Sequence, residues 1–244
     1  MNYSLLIKLL CAHVVADFVL QNKSFCARKR ELNTWKGWGA QIAHALIQAA
    51  TAYLFLWDWT NWIVPVVIFG SHLLIDALKA RFGKNDNPWH FVCDQLAHLV
   101  VIIALFCGLE HVAQLPTVSI TQLMLLATAY LLITIPASLF ISMFYKQWEI
   151  KNQKKGTKPS TQSLPRGGEY IGMLERVLLL TFIFAGYPEG IGFLLAAKSI
   201  FRFGDLQRTQ ELQQTEYVLI GTFLSFTIAI VIGYVAVWAM KLIA

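Results

Sequence analysis

Charge is what this sequence has least of. Asp, Glu, Lys and Arg make up 14% of its 244 residues, whereas hydrophobic residues make up 57%. An ordinary soluble domain carries roughly 25% charged residues, so the composition excludes that class and indicates an integral membrane protein. The apolar segments also lack the period-two alternation of outer-membrane barrel strands. We therefore predict an all-α fold, a polytopic transmembrane helical bundle.

The sequence also has few features of paired cysteines or of a cleaved signal peptide. The four cysteines form no C-x-x-C pair, and because three of them lie inside apolar segments we interpret them as small buried hydrophobes. The N-terminus has no basic region and carries Lys8, His13 and Asp17 where an uninterrupted apolar segment would be needed. We therefore expect the first helix to be retained rather than cleaved.

What the sequence does have is a series of apolar blocks, most of them about 17 to 25 residues long, which is the length that a helix needs to cross a bilayer. They predict about eight transmembrane helices, near residues 3–21, 40–56, 63–80, 88–109, 120–145, 170–185, 191–203 and 217–242. The short block at 191–203 can cross or be re-entrant, so seven helices are the alternative. We divide the chain into a four-helix membrane core at 1–115 and C-terminal membrane helices at 116–244.

Positive charges lie in alternate loops between these blocks. Lys and Arg concentrate after the first block, after the third block and in the segment 146–169, whereas the tryptophan-rich segment 57–62 carries none. Because cytoplasmic loops collect positive charge and tryptophan favours the membrane interface, we expect the basic loops on the cytoplasmic side. Topology thus explains the net charge of +6 without nucleic acid as a partner.

Histidine and aspartate recur four residues apart inside the first four apolar blocks. The pairs are His13 with Asp17, His72 with Asp76 and Asp94 with His98, and a lone His44 lies in the second block. A spacing of four puts both side chains on one helix face. Counted from the predicted cytoplasmic helix ends, the aspartates and His44 share one depth, and the other histidines lie one turn deeper, roughly 6 Å. Since ionisable groups at membrane depth need a partner, we expect them to meet.

Imidazole and carboxylate are the ligands of zinc and related divalent metals, and a catalytic zinc site keeps one position open. The predicted metal ligands are His13, His72, His98, Asp76 and His44. The predicted catalytic carboxylates are Asp94 and Asp17, with Asp94 as general base for a water whose pKa the metal lowers. Lys79 can orient a polar headgroup. The alternatives are hydrogen bonds that only hold the helices together and a path for protons or cations.

A second polar group lies in the C-terminal half of the chain. Its residues are Glu175, Arg176, Lys198, Arg202 and Glu216. All of them fall near the predicted cytoplasmic side. We predict an ion-pair network, with a cationic face toward anionic lipid headgroups as the alternative.

Four motifs occur in order within the first 110 residues. They are CAHVVADFVLQ at 11–21, HAL at 44–46, SHLLIDALK at 71–79 and DQLAH at 94–98. With them the chain resembles domain-of-unknown-function family 3307, which consists of bacterial membrane proteins without a settled activity. AAKSIFRF at 196–203 and EYVLIGT at 216–222 look like the C-terminal extension of its longer members. In ligand types only, the chain is similar to membrane-bound metal-dependent hydrolases, including alkaline ceramidases, so that activity is an analogy.

The function predicted from these features is metal-dependent hydrolysis, with Zn or another divalent metal as cofactor and a lipid or other amphiphile as substrate. The competing class is a transporter, channel or membrane sensor that uses the same residues for protons or cations. Such a path needs polar groups beyond the deeper histidines, where the first four helices are almost wholly apolar. The expected partners are the lipid bilayer and a lipid substrate, with a homo-oligomer left open, and the resemblance implies the bacterial inner membrane as multi-pass location.

Overall fold

The structure, a computed structural model, describes residues 3–83, 87–109, 118–146, 167–206 and 212–243, without the side chains of residues 23, 118–119, 201–206 and 212–218. Within these ranges the chain forms helices and no strand. The long helices are α1 (Tyr3–Val14), α3 (Trp35–Leu56), α4 (Ile63–Phe82), α5 (Pro88–Gly108), α6 (Val118–Lys146), α7 (Gly167–Phe184), α8 (Pro188–Leu206) and α9 (Leu212–Ile243), and α2 (Lys23–Lys29) is short. The predicted all-α bundle of about eight helices is confirmed.

Four of the described helices are long and apolar enough to cross a membrane. The candidate spans are Ile63–Phe82, Pro88–Gly108, Ile120–Lys146 and Leu219–Ile243. Helix α1 is shorter, with 12 residues, and α3 carries several buried polar side chains. The predicted short block at 191–203 lies within α8, a continuous helix of 19 residues. Whether α8 crosses the membrane stays a prediction.

Polar caps decide where three helices of the N-terminal half begin. The side chains of Asn22, Thr34 and Asn87 accept hydrogen bonds from backbone N–H groups in the first turns of α2, α3 and α5. Pro88 occupies the first turn of α5, where its missing N–H costs nothing. The cap at Thr34 starts α3 five residues before the predicted start near residue 40, because a cap satisfies N–H groups that an apolar block does not reveal.

The first predicted helix, 3–21, differs in the structure. Regular α-helix ends at Val14, and Val15–Val19 form a π-helical turn that the N–H of Leu20 closes by donating to the Val15 carbonyl at 3.0 Å. A π-turn holds one residue more than an α-turn and redirects the side chains that follow it. Asp17 lies inside this turn.

The chain divides into two compact units, one of residues 1–131 with 239–244 and the other of residues 132–238. The first unit has a continuous apolar core in which α1, α3, α4 and α5 meet. Its buried members are Leu5, Leu9, Ala12, Ala52, Leu56, Val64, Ile68, Ile102, Leu105 and Phe106. These residues come from the length of α1, the early turns of α4 and the late turns of α3 and α5, so they form one apolar layer in which α4 runs antiparallel to α3 and α5.

The second unit buries side chains of α6, α7 and α9. Leu179 and Leu180 of α7 are fully buried, as are Ile133 of α6 and Ala229 of α9. Gly233 of α9 lies where an added Cβ would press on Ile183 and Leu180, so the missing side chain allows close packing within this unit.

Candidate functional site

The structure brings the seven predicted His and Asp residues of the first unit together in one cluster, which adjoins the apolar layer of that unit. The rings of His72 and His98 stack with centroids 3.8 Å apart, and the ring of His13 lies 5.4 and 5.2 Å from them. His44 lies 5.6 Å from His72. The four rings come from α1, α3, α4 and α5, and all four residues are buried.

Asp17 is the aspartate that the neighbouring helices surround. Its Oδ1 accepts a hydrogen bond from Gln48 at 2.5 Å and lies 3.0 Å from His44 Nε2. Gln95 donates to its Oδ2 at 3.3 Å. These contacts fix the carboxylate, and they also give His44 a hydrogen-bonded partner of its own.

The other two aspartates are each paired with a lysine. Lys29 of α2 donates to Asp76 Oδ2, and Lys79 donates to Asp94 Oδ2, both at 2.5 Å. The Lys79 side chain is 39% exposed whereas that of Lys29 is 12% exposed. In both pairs the second carboxylate oxygen, Oδ1, is left to face inward toward the histidines.

The side-chain atoms of the cluster that could ligate a metal fall into two groups of three residues. His13, Asp17 and His72 form one group, and Asp76, Asp94 and His98 form the other. In each group, one candidate nitrogen or oxygen atom per residue lies within 4.8 Å of the other two. We call them the Asp17 group and the Asp94 group. Every member of the Asp94 group is buried.

Several of these atoms have no hydrogen-bond partner. Of five buried and unpartnered side-chain atoms in the described residues, four belong to the cluster: His13 Nδ1, His72 Nε2, Asp94 Oδ1 and His98 Nε2. An unpartnered buried polar atom costs about 1–3 kcal/mol. Concentrating four of them at one place is therefore unfavourable unless something else contacts them.

The distances between these atoms fit metal ligation better than hydrogen bonding. His98 Nε2 lies 3.8 Å from Asp76 Oδ1 and 3.7 Å from Asp94 Oδ1, and His72 Nε2 lies 3.5 Å from Asp17 Oδ1. These separations exceed the usual hydrogen-bond range. Ligands placed tetrahedrally at about 2.0–2.2 Å around one zinc ion are roughly 3.3–3.6 Å apart. The donor set and its spacing therefore fit a divalent cation.

Comparison with known proteins assigns the chain to a family. The family model described as "Protein of unknown function (DUF3307)" matches residues 5–127, about half of the chain. The chain belongs to this family. All seven His and Asp residues of the cluster lie within the DUF3307 match, whereas α7, α8 and α9 lie outside it. No curated protein and no solved structure matches the chain.

On the side of the histidines away from the aspartates, the DUF3307 region is mainly apolar. A small cavity there is lined by the histidine rings, by Gln48 and Ser71, and by apolar side chains one turn further in, including Leu9, Ile68 and Ile102. The apolar layer of the first unit follows. Lys8 is a buried cation in this half, and its Nζ donates to the Leu56 carbonyl at the end of α3, at 2.9 Å. In the described part of this region the cluster therefore adjoins a mainly hydrophobic layer with few polar side chains.

Three residues of the DUF3307 region join the cluster although we predicted no site role for them. Gln48 follows His44 by four residues, so the spacing that revealed the His/Asp pairs also carries its signal. Gln41 donates to the Lys29 carbonyl at 2.8 Å and ties α2 to α3. The sequence does not reveal Lys29 as a site residue, because a positive charge is expected in a cytoplasmic loop. Only the fold of α2 directs its side chain to Asp76.

Cysteine takes no part in either three-residue group of the described chain. Burial raises the pKa of the Cys26 thiol in α2, so this thiol stays neutral. The interpretation of the cysteines as buried hydrophobes holds for Cys11, but Cys93 and Cys107 are exposed. Each adjoins a buried residue of α5, Asp94 or Phe106, and therefore points about 100° away from the core.

The second polar group is partly visible in the second unit. Lys198 forms an ion pair with Glu175 and lies over the ring of Phe226. Arg176 donates to the carbonyls of Ile133 and Thr134 and to the hydroxyls of Ser138 and Ser225. Those carbonyls precede Pro136 in α6, where a proline disturbs the helical hydrogen bonds. The side chains of Arg202 and Glu216 lie outside the described residues, so the predicted network is visible here as this one ion pair.

Proposed function

We propose that this chain is a metal-dependent hydrolase of the bacterial inner membrane that acts on a lipid or another amphiphile. The observation that carries the proposal concerns two buried ring nitrogens, His72 Nε2 and His98 Nε2. Neither has a hydrogen-bond partner in the described chain, and each lies 3.5–3.7 Å from a carboxylate oxygen. A divalent cation such as Zn would satisfy these atoms, since imidazole and carboxylate are its usual ligands. Helix assembly alone would favour paired atoms instead.

The roles of the residues follow from their contacts. His13, His72 and Asp17 would hold the cation, with His44 and Gln48 fixing the Asp17 carboxylate. A bound cation would act as a Lewis acid and would lower the pKa of a water molecule bound to it to about 7. Asp94 Oδ1 is buried and without a hydrogen-bond partner in the described chain, so it is the carboxylate oxygen available to accept a proton.

The surroundings of Lys79 support an amphiphilic substrate. Lys79 is the more exposed of the two lysines paired with the cluster. Leu74 and Leu78 on the same helix and Trp89 at the start of α5 are exposed large hydrophobics. A polar headgroup beside Lys79 and acyl chains along these side chains would suit a ligand that enters from the bilayer.

The mainly apolar layer next to the cluster disfavours the competing function, a transporter or channel. A transporter or channel needs polar groups or water on both sides of its ionisable site. In the described part of the first unit, Leu9, Ile68 and Ile102 adjoin the histidines on the inner side. A site that is polar on one side suits an enzyme whose substrate enters and leaves by the same route.

The experiment compares wild type with His72→Ala and with His90→Ala, a histidine of α5 outside both three-residue groups. Protein purified without chelators is tested for metal content and for hydrolysis of fluorogenic phospholipid and amide-linked lipid analogues. We expect His72→Ala to lose metal and activity, and His90→Ala to keep both. Metal-free wild type, or full activity in His72→Ala, would refute the proposal. Absence of hydrolysis together with altered proton flux in Asp94→Asn liposomes would favour transport.

A further inference from the structure

We infer that the His/Asp cluster holds two divalent cations, one in the Asp17 group and one in the Asp94 group. The inference rests on the metal binding in the proposed function and changes one role within it. Asp94 becomes a ligand of the second cation rather than a proton acceptor.

The Asp94 group is the stronger half of the argument. His98 Nε2 faces Asp76 Oδ1 at 3.8 Å and Asp94 Oδ1 at 3.7 Å. Of these atoms, His98 Nε2 and Asp94 Oδ1 are buried and have no hydrogen-bond partner in the described chain. The outer oxygens of both carboxylates are held by Lys29 and Lys79. Each carboxylate is thus held by a lysine through Oδ2, while its Oδ1 lies near the His98 imidazole, as for a supported metal ligand.

The Asp17 group brings two histidines, from α1 and α4, to one carboxylate whose two oxygens both accept hydrogen bonds. His72 Nε2 is buried, has no hydrogen-bond partner in the described chain and lies 3.5 Å from Asp17 Oδ1. His13 Nε2 lies 3.8 Å from Asp17 Oδ2 and is hydrogen-bonded to Gln95 Oε1 at 3.3 Å. Gln48 and Gln95 hold the carboxylate. No residue belongs to both groups, so filling one position does not use up the ligands of the other.

The two positions are neighbours because His72 belongs to one group and His98 to the other. Their rings stack nearly parallel, with 19° between the planes and 3.8 Å between centroids. Two stacked imidazoles that each bind a cation would place the cations side by side. Two-metal hydrolytic sites use such neighbouring ions, about 3.5–4 Å apart, to hold the attacking and leaving oxygens.

Charge also bears on the second position. In the metal-free chain the three carboxylates are opposed by Lys29 and Lys79, so with neutral histidines the cluster carries a net charge of −1; one divalent cation changes it to +1 and a second to +3. Lys79→Gln removes a competing positive charge and should therefore strengthen binding of the second cation.

The test counts cations per chain. Wild-type protein in detergent is equilibrated with Zn²⁺, freed of excess metal and analysed for zinc, and a parallel sample with Mn²⁺ is examined by electron paramagnetic resonance for coupling between two ions. We expect two zinc ions per wild-type chain, a coupled Mn²⁺ pair, one zinc ion in Asp94→Asn and two in His90→Ala. Lys79→Gln should bind its second zinc ion several-fold more tightly than wild type.

The outcomes separate this inference from the proposed function. One zinc ion per wild-type chain without Mn²⁺ coupling overturns the two-cation arrangement and leaves the hydrolase intact. Asp94→Asn with the wild-type zinc content but without activity overturns it too, and restores Asp94 as the base. No zinc in any variant overturns both proposals. Should Asp94→Asn fail to fold, unchanged zinc affinity in Lys79→Gln contradicts the inference instead.

Discussion

Removing the positive charge of Lys29 tests whether Asp76 faces a cation. Lys29 Nζ lies 2.5 Å from Asp76 Oδ2, and the two side chains are 12% and 8% exposed. Lys29→Met keeps most of the side-chain volume and removes the charge and its hydrogen bonds. Asp76 then remains buried without its main compensating partner.

The magnitude follows from the burial of the pair. Removing one partner of a buried ion pair costs about 3–5 kcal/mol, because the remaining charge is left uncompensated. The slight exposure of both groups places the expected loss toward the lower end, about 3 kcal/mol in metal-free protein. A cation in the Asp94 group would replace the missing positive charge. The loss should therefore shrink markedly when metal is bound.

The assay measures unfolding in mixed micelles, with chelator and with excess Zn²⁺, for wild type, Lys29→Met and Lys36→Met. Lys36 is an exposed lysine in the first turn of α3 and serves as the charge-matched control. Zinc at about 100 times its dissociation constant should stabilise the wild type by about 2.7 kcal/mol for each site. We expect Lys29→Met to gain clearly more than that, and Lys36→Met to behave as wild type.

Two results would refute this reasoning. If the stability gap between Lys29→Met and wild type is the same with chelator and with zinc, Asp76 does not face a bound cation. If Lys29→Met is as stable as wild type in chelator, the ion pair contributes nothing and the buried-charge argument fails.

The remaining predictions concern packing and topology. Gly37→Ala should destabilise the protein, because the added Cβ would collide with the Glu31 carbonyl, whereas Gly39→Ala, which meets open space, should stabilise α3 by about 0.5–1 kcal/mol in the same unfolding assay. Arg176→Met should lower stability by several kcal/mol, since each hydrogen bond from a charged group is worth about 1.5–3 kcal/mol. Cysteines placed at Lys36 and Asp58 should react with impermeant reagents from opposite sides of the membrane, and labelling from one side would contradict the predicted topology.

The sequence by itself determined the class of the protein and the members of the cluster. Low charge and long apolar blocks predict a helical bundle because backbone groups in lipid must be paired within each segment. The spacing of four in His72–Asp76 and Asp94–His98 predicts a shared face because it is close to the helical period. Both inferences use only neighbours along the chain, and for this reason they needed no knowledge of the packing.

The tertiary structure decided how the cluster is divided. Both His13 and His98 lie four residues from an aspartate, yet His98 faces Asp76 of another helix as well as Asp94. The sequence pattern predicts His44 as a metal ligand, whereas the packing places it against Asp17 and outside both three-residue groups. Its role as a ligand stays a prediction. Lys29 approaches Asp76 from α2, which Gln41 ties to α3 through the Lys29 carbonyl. Contacts of this kind join residues far apart in sequence, and a helical period fixes only which face a side chain occupies, not which helix packs against it.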